Sequence, residues 1–200
     1  MYKQTILIGA VLIALVAGFS GGYAMRGNQV SSGYHMMSGG TTMGDGMMGG
    51  TIDQRFIEQM IPHHEGAIAM AKIALQRSKR PDMITLANNI IKAQEKEIVD
   101  MRGWYQSWYG TSVPSTGGMG MHMSGMTGDP STLNSVSAAD FDREFIKEMI
   151  PHHEMAVMMA QMLSAGTNRP EMKQLASNII TSQSSEIEMM RGWLTSWYGN

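Results

Sequence analysis

The sequence predicts an all-α protein, a four-helix bundle built from two tandem helical hairpins, on three observations. The hexapeptide MIPHHE at residues 60–65 recurs letter for letter at 149–154. The same offset of 89 positions carries Asp53 to Asp142, Arg80-Pro81 to Arg169-Pro170, Gln94 to Gln183, Glu97 to Glu186 and MRGW at 101–104 to 190–193. Roughly half of 53–110 is thereby repeated in 142–199 without a gap, so each copy is one structural unit. Within each copy apolar side chains recur by threes and fours, the spacing of one helix face. Each unit reads as two helices of about 25 residues, a length typical of antiparallel bundles, and a lone hairpin would expose too much apolar surface to stand alone.

Residues 1–24 read as a signal peptide or an N-terminal anchor. Lys3 supplies a positive start, residues 6–19 are almost wholly apolar, and Gly22-Tyr23-Ala24 offers a small-x-small cleavage site. That apolar run falls short of the ~20 residues of a spanning helix, although extending it to Ala24 keeps an uncleaved anchor open. Either way the rest of the chain is expected outside the cytoplasm, periplasmic or secreted, and membrane-anchored only if the segment is retained. Residues 25–50 and the crossover at 111–139 are rich in Met and Gly. Their other apolar content is too low to offset ordering entropy, so neither is expected to fold.

The first hairpin, 51–110, opens near Asp53, with Phe56, Met60, Ala67 and Ala71 along one face. Pro62 lies inside this helix, where a missing backbone donor predicts a kink just before the histidines. SKRPD at 78–82 breaks the pattern and places Pro81 as the first residue of the next helix. That helix shows Met83, Leu86, Ile90, Gln94, Glu97, Met101, Trp104 and Trp108 at helical steps, and Gly110 should end it. Arg102 is placed to suit the negative end of the helix dipole. The aromatic residues of WYQSWYG at 104–110 are expected to close the end of the bundle. The second hairpin, 140–200, repeats every element.

Composition narrows the function. There are 23 methionines, six histidines and no cysteine. Disulfides, thiolate sites and thiol catalysis are therefore excluded. A net charge of −2 with no basic stripe sets nucleic-acid binding aside. No Glu-x-x-His pair for a di-iron bundle is present, nor an HExxH helix, a phosphate-cradling Gly loop or a G-x-S-x-G turn, so no enzyme is predicted.

What remains is soft-metal chemistry. YHMMSGGTTMGDGMMGG at 34–50 sets His35 and Met36 among closely spaced thioethers, and GGMGMHMSGM at 117–126 does the same with Met119, Met121, His122 and Met123. Thioethers favour Cu(I) and its analogue Ag(I), while imidazole also accepts Cu(II). On the helix, His63 and His64 point ~100° apart and should not chelate one ion together, whereas Met60 lies one turn from either. His63 falls on the flank of Met70. If the hairpin folds about 78–80, Met101 comes level with Met60, and Gln94 and Glu97 come level with the His pair. Glu97 would then orient an imidazole by accepting its ring proton. The second copy offers Met149, His152, His153 and Met190, with Gln183 and Glu186. The competing reading is a buried polar layer that fixes register. Copy two also carries Met159 and, where copy one has Gly66, Ala69 and Ile73, a stripe of Met155, Met158 and Met162. This stripe lies well away from Met149 and should be exposed.

The stretches FIEQMIPHHEGAIAMA, RPDMITLANNIIKAQEKEI and MRGW carry a resemblance. They resemble the bacterial family labelled domain of unknown function three-oh-five, which couples an M-I-P-H-H helix to an L-A-x-x-I-I-x-x-Q-x-x-E-I-x-x-M helix. The resemblance covers 53–110 and 142–199. It implies a ferritin-like bundle and a role in periplasmic copper handling. The family's Met, His-His, Gln, Glu and Met positions fall on Met60, His63, His64, Gln94, Glu97 and Met101, and on Met149, His152, His153, Gln183, Glu186 and Met190. The leading expectation is an exported, non-enzymatic copper protein, binding Cu(I) first and also Cu(II), in sequestration, resistance or delivery. Its partners would be metal ions and a copper efflux or delivery protein. The alternatives are an exported helical interaction module with incidental metal binding, and a copper-dependent oxidoreductase.

Overall fold

In the computed structural model, residues 51–115 and 130–199 are described. Helix α1 spans Ile52–Arg77 and is capped by Thr51, whose hydroxyl accepts a hydrogen bond from the Gln54 amide at 3.2 Å. It runs unbroken through Pro62. After Ser78, helix α2 spans Pro81–Tyr109, with proline in its first turn, where a missing amide proton costs nothing. It stops at Gly110, whose φ of 68° is the left-handed conformation that ends helices and that a Cβ disfavours. A short helix α3 follows at Pro130–Ser135. Helices α4 (Phe141–Gly166) and α5 (Pro170–Tyr198) then repeat α1 and α2, down to the left-handed Gly199.

Each hairpin packs within itself, α1 on α2 and α4 on α5, and α1 crosses to α4. The last two run antiparallel. At one end Ile52 lies so near Gly166 that a Cβ there would come 2.5 Å from its Cδ1, and at the other the Arg77 guanidinium sits 4.6 Å over the Phe141 ring. The hairpins are also pinned to each other in pairs. Arg80 reaches Asp142 at 3.3 Å and lies 4.4 Å over the Trp197 ring. Its repeat partner Arg169 reaches Asp53 at 3.3 Å and lies 3.9 Å over Trp108. Trp104 stacks on Trp108 and Trp193 on Trp197, which places the aromatic residues at the ends of the bundle as expected.

The apolar interior is divided in two. One core takes Ala67–Ala74 positions of α1, Met83 to Ile90 of α2, Phe141 to Met149 of α4 and Met190 of α5. The other takes Phe56 to Ile61, Met101 and Tyr105, Ala156 to Leu163 and Met172 to Ile179. Every long helix passes from one core to the other at its His-His or Gln-x-x-Glu positions. A polar layer therefore crosses the middle of the bundle.

Two expectations need correcting. The crossover is not unstructured throughout, because α3 folds and Leu133 is buried in the first core. One aliphatic side chain suffices there, since the Arg77 guanidinium donates to the carbonyls of Leu133 and Val136 and so ties the segment to α1. Arg102 does not serve the helix dipole. It lies short of the last turn of α2 and pairs with Glu65 of α1 at 2.8 Å.

Candidate metal centre

The central layer is assembled from all four long helices. His63 and His64 come from α1, Gln94 and Glu97 from α2, His152 and His153 from α4, and Gln183 and Glu186 from α5. His64 and His153 are fully buried, while His63 and His152 are 3% and 4% exposed. The Gln94 and Gln183 side chains are buried beside them.

The adjacent histidines have different tasks. The ring centroids of His63 and His64 are 6.3 Å apart, and each turns to a different partner. His64 Nε2 lies 2.7 Å from Glu97 Oε2 on the other strut of its own hairpin, and His153 Nε2 lies 2.7 Å from Glu186 Oε2 in the repeat. A carboxylate accepts, so each Nε2 carries the proton and Nδ1 is left with its lone pair. Both Nδ1 atoms are buried without a hydrogen bond. His63 faces the other hairpin instead: its ring centroid is 3.7 Å from that of His152, the planes inclined by 40°. Met70, seven residues on, follows on the same flank of α1 by helix spacing. Met70 lies inside the first core, and His63 sits where the two copies meet.

Electrostatics keep His63 neutral. Burial foremost, then the neighbouring His152, His64 and His153, push its pKa from 6.5 down to about 2, and a weak backbone approach from His152 opposes the shift only slightly. Neither ring nitrogen of His63 makes a hydrogen bond of ordinary geometry, and the amide oxygens of Gln94 and Gln183 are likewise without one. An orphaned buried polar atom costs about 1–3 kcal/mol, so a layer built only to fix register would pair these atoms. Buried imidazoles whose Nδ1 atoms make no hydrogen bond, oriented by carboxylates at Nε2, suit a soft cation.

The thioethers fall into two groups. Met60, Met70, Met101, Met149 and Met190 are fully buried, Met60 with Met101 in one core and Met149 with Met190 in the other. This is the level pairing expected from the hairpin. On α4, Met155 and Met159 are partly buried, and Met158 and Met162 are 44% and 62% exposed. Among the described residues no three histidine, aspartate or glutamate side chains converge as a metal-holding set. His35, Met36, Met119, Met121, His122 and Met123 lie outside the described residues, as does the segment 1–24. No described helix is long and apolar enough to cross a membrane.

The paired Arg80–Asp142 and Arg169–Asp53 clamps were legible only as repeated letters, since the offset showed that they recur and not that they join the hairpins. The Tyr105 network carried no signal at all. Tyr105 donates to Glu58 at 2.5 Å and accepts from Gln54 at 3.1 Å, and burial followed by the Glu58 carboxylate raises its pKa. Copy two has Leu194 and Lys147 in place of Tyr105 and Glu58.

Fold and site together define an antiparallel bundle of two repeated hairpins that meet at a buried histidine layer. The chain belongs to the DUF305 family (Domain of unknown function), whose profile matches residues 53–199. It is similar to CopM, solved in a Cu(I)-bound form, with 49% identity and a TM-score of 0.65 over 73% of this chain and 97% of that one. The Cu(II)-bound form of CopM gives 50% identity and a TM-score of 0.68, with 73% and 97% covered. An Ag-bound form gives 47% and 0.64, with 73% and 96% covered. A DUF305 fragment from Deinococcus radiodurans is 27% identical at a TM-score of 0.63, covering 72% of this chain and 95% of its own. The uncharacterized protein L153 of Acanthamoeba polyphaga mimivirus is 43% identical over 53 residues, which is 26% of this chain and spans only 35% of that relative's length.

Proposed function

We propose that this protein binds copper, Cu(I) in preference and Ag(I) as its analogue, and acts in copper sequestration, resistance or delivery outside the cytoplasm. The observation that carries the reading is the buried histidine layer, with unused lone pairs on His63, His64 and His153. Copper is cargo here, and nothing in the layer resembles an enzyme's substrate pocket. Met60 with Met101, and Met149 with Met190, supply thioethers on either side of the imidazoles. The Met-rich segments holding His35 and His122 add weaker capacity. CopM, similar over nearly its whole length, is known in Cu(I)-, Cu(II)- and Ag-bound forms, which supports the same cargo. The apolar N-terminal run supports export, and a copper efflux or delivery protein is the partner that such a carrier requires.

The test replaces His63 and His152 together by Leu in a chain lacking residues 1–50, with Met119, Met121, Met123 and Met126 also changed to Leu. Cu(I) affinity is read by competition with bicinchoninate. Replacing two buried imidazoles that lie between apolar cores by Leu is expected to leave the melting temperature equal or higher, while tight Cu(I) binding is lost. A lowered melting temperature with unchanged Cu(I) affinity would return the layer to a purely structural role.

A further inference from the structure

The buried layer has no obvious way in. His64, His153, Met60, Met101, Met149 and Met190 are all fully buried, so an ion cannot pass from water to these donors without an intermediate ligand. Copy two contains a row of such ligands. His152 is 4% exposed, Met155 three residues on is partly buried, Met158 after another three is 44% exposed, and Met162 after four more is 62% exposed.

We infer that this row on α4 is the loading and release track for the copper site, a deepening that rests on the copper reading above. Side chains three and four apart are neighbours on a helix, so each donor can reach the next. Each step of three residues turns ~300° about the axis, or ~60° backward, and the last step of four turns ~40° forward, so Met158 and Met162 both lie well round from His152. The row therefore drifts off the buried face and onto the solvent face, as the exposures show.

Core filling does not account for it. Methionine is a gap-filler in interiors, and Met158 and Met162 have no gap to fill. The first hairpin folds in the same way with Gly66, Ala69 and Ile73 at these positions, so the bundle does not need thioethers there. Passage along the row involves no redox change and no proton. A Cu(I)–sulfur contact to the next thioether forms as the contact behind it breaks, the metal stays monovalent, and every ligand stays neutral. Low coordination numbers leave room for that exchange. The track is built on one hairpin only, so the two faces of an otherwise symmetric bundle are unequal: cargo arrives and leaves over α4.

The experiment uses the full chain labelled with [methyl-13C]methionine and ring-13C histidine, with Ag(I) as the probe. The native chain is compared with one carrying Met155→Leu, Met158→Leu and Met162→Leu, and with the single variants Met158→Leu and Met162→Leu. In the native chain the Met60, Met149, His63 and His64 signals should move within the mixing time. In the triple variant they should reach the bound positions much more slowly, with the single variants between. An unchanged rate in the triple variant overturns the track while leaving the copper reading intact. Core signals that never respond in the native chain overturn both.

Discussion

The imidazole of His63 lies against that of His152 with ring centroids 3.7 Å apart, and this contact is where the two copies of the repeat meet. Both rings are almost wholly buried, and His63 is held neutral by desolvation and by its three histidine neighbours. The centre of the bundle is thus a patch of buried imidazole between two apolar cores, with His63 neutral within it. Its pH response and its ligand chemistry both follow from that.

Stability of the metal-free protein should fall in acid. The folded pKa of His63 is about 2 and the unfolded value 6.5, so below pH 6.5 the unfolded chain binds the extra proton. Stability is then fully present above 6.5 and declines as pH falls, at up to ~1.4 kcal/mol per unit for this one group. Urea melts of the metal-free chain at pH 7 and pH 5 measure it, and His63→Leu should flatten the difference. Equal midpoints at both pH values in the native chain would contradict the buried neutral ring.

Met60→Leu with Met149→Leu should keep the fold and lose metal. The swap conserves volume and apolarity and costs below ~1.5 kcal/mol, while it removes two buried sulfurs. Circular dichroism should be unchanged and Ag(I) binding by a chain lacking the Met-rich segments should weaken. Undiminished binding would leave the imidazoles as the whole site.

The two arginine clamps should act independently. Arg80 joins Asp142 and Trp197, Arg169 joins Asp53 and Trp108, and the clamps sit at opposite ends of the bundle. Both guanidinium groups are partly solvated, so each Ala substitution should cost only about 1 kcal/mol, and the double variant about the sum. Lys in either place should restore less than half, because it keeps the charge and loses the planar stacking surface. Chemical denaturation of the three variants tests this, and strong non-additivity would mean the clamps share a partner.

Leu133→Ala tests the anchored part of the crossover. Leu133 is fully buried in the first core, and its loss should cost roughly 2 kcal/mol or more. Deleting 25–50 should by contrast leave the melting temperature unchanged and lower copper capacity. A silent Leu133→Ala would show that α3 contributes nothing to the bundle.

The helices of this protein were determined locally, and so were legible. An 89-residue offset, apolar steps of three and four, a proline opening and a glycine ending each second helix are all properties of neighbouring residues. That Glu97 would come level with the His pair was legible too, because a short turn at 78–80 leaves a hairpin only one register, while the structure assigns it to His64. What joins one hairpin to the other was not. His63 against His152, Arg80 against Asp142 and Trp197, and Leu133 beneath Arg77 all link segments whose separation along the chain says nothing about their distance. Helical periodicity assigns a face to each residue, but it does not say which helix will cover that face. His63 was placed on the Met70 flank by its angle on α1, but only the crossing of α1 with α4 brought His152 against that flank. The tertiary structure decided that crossing, because each hairpin's apolar stripe can be buried only against the other.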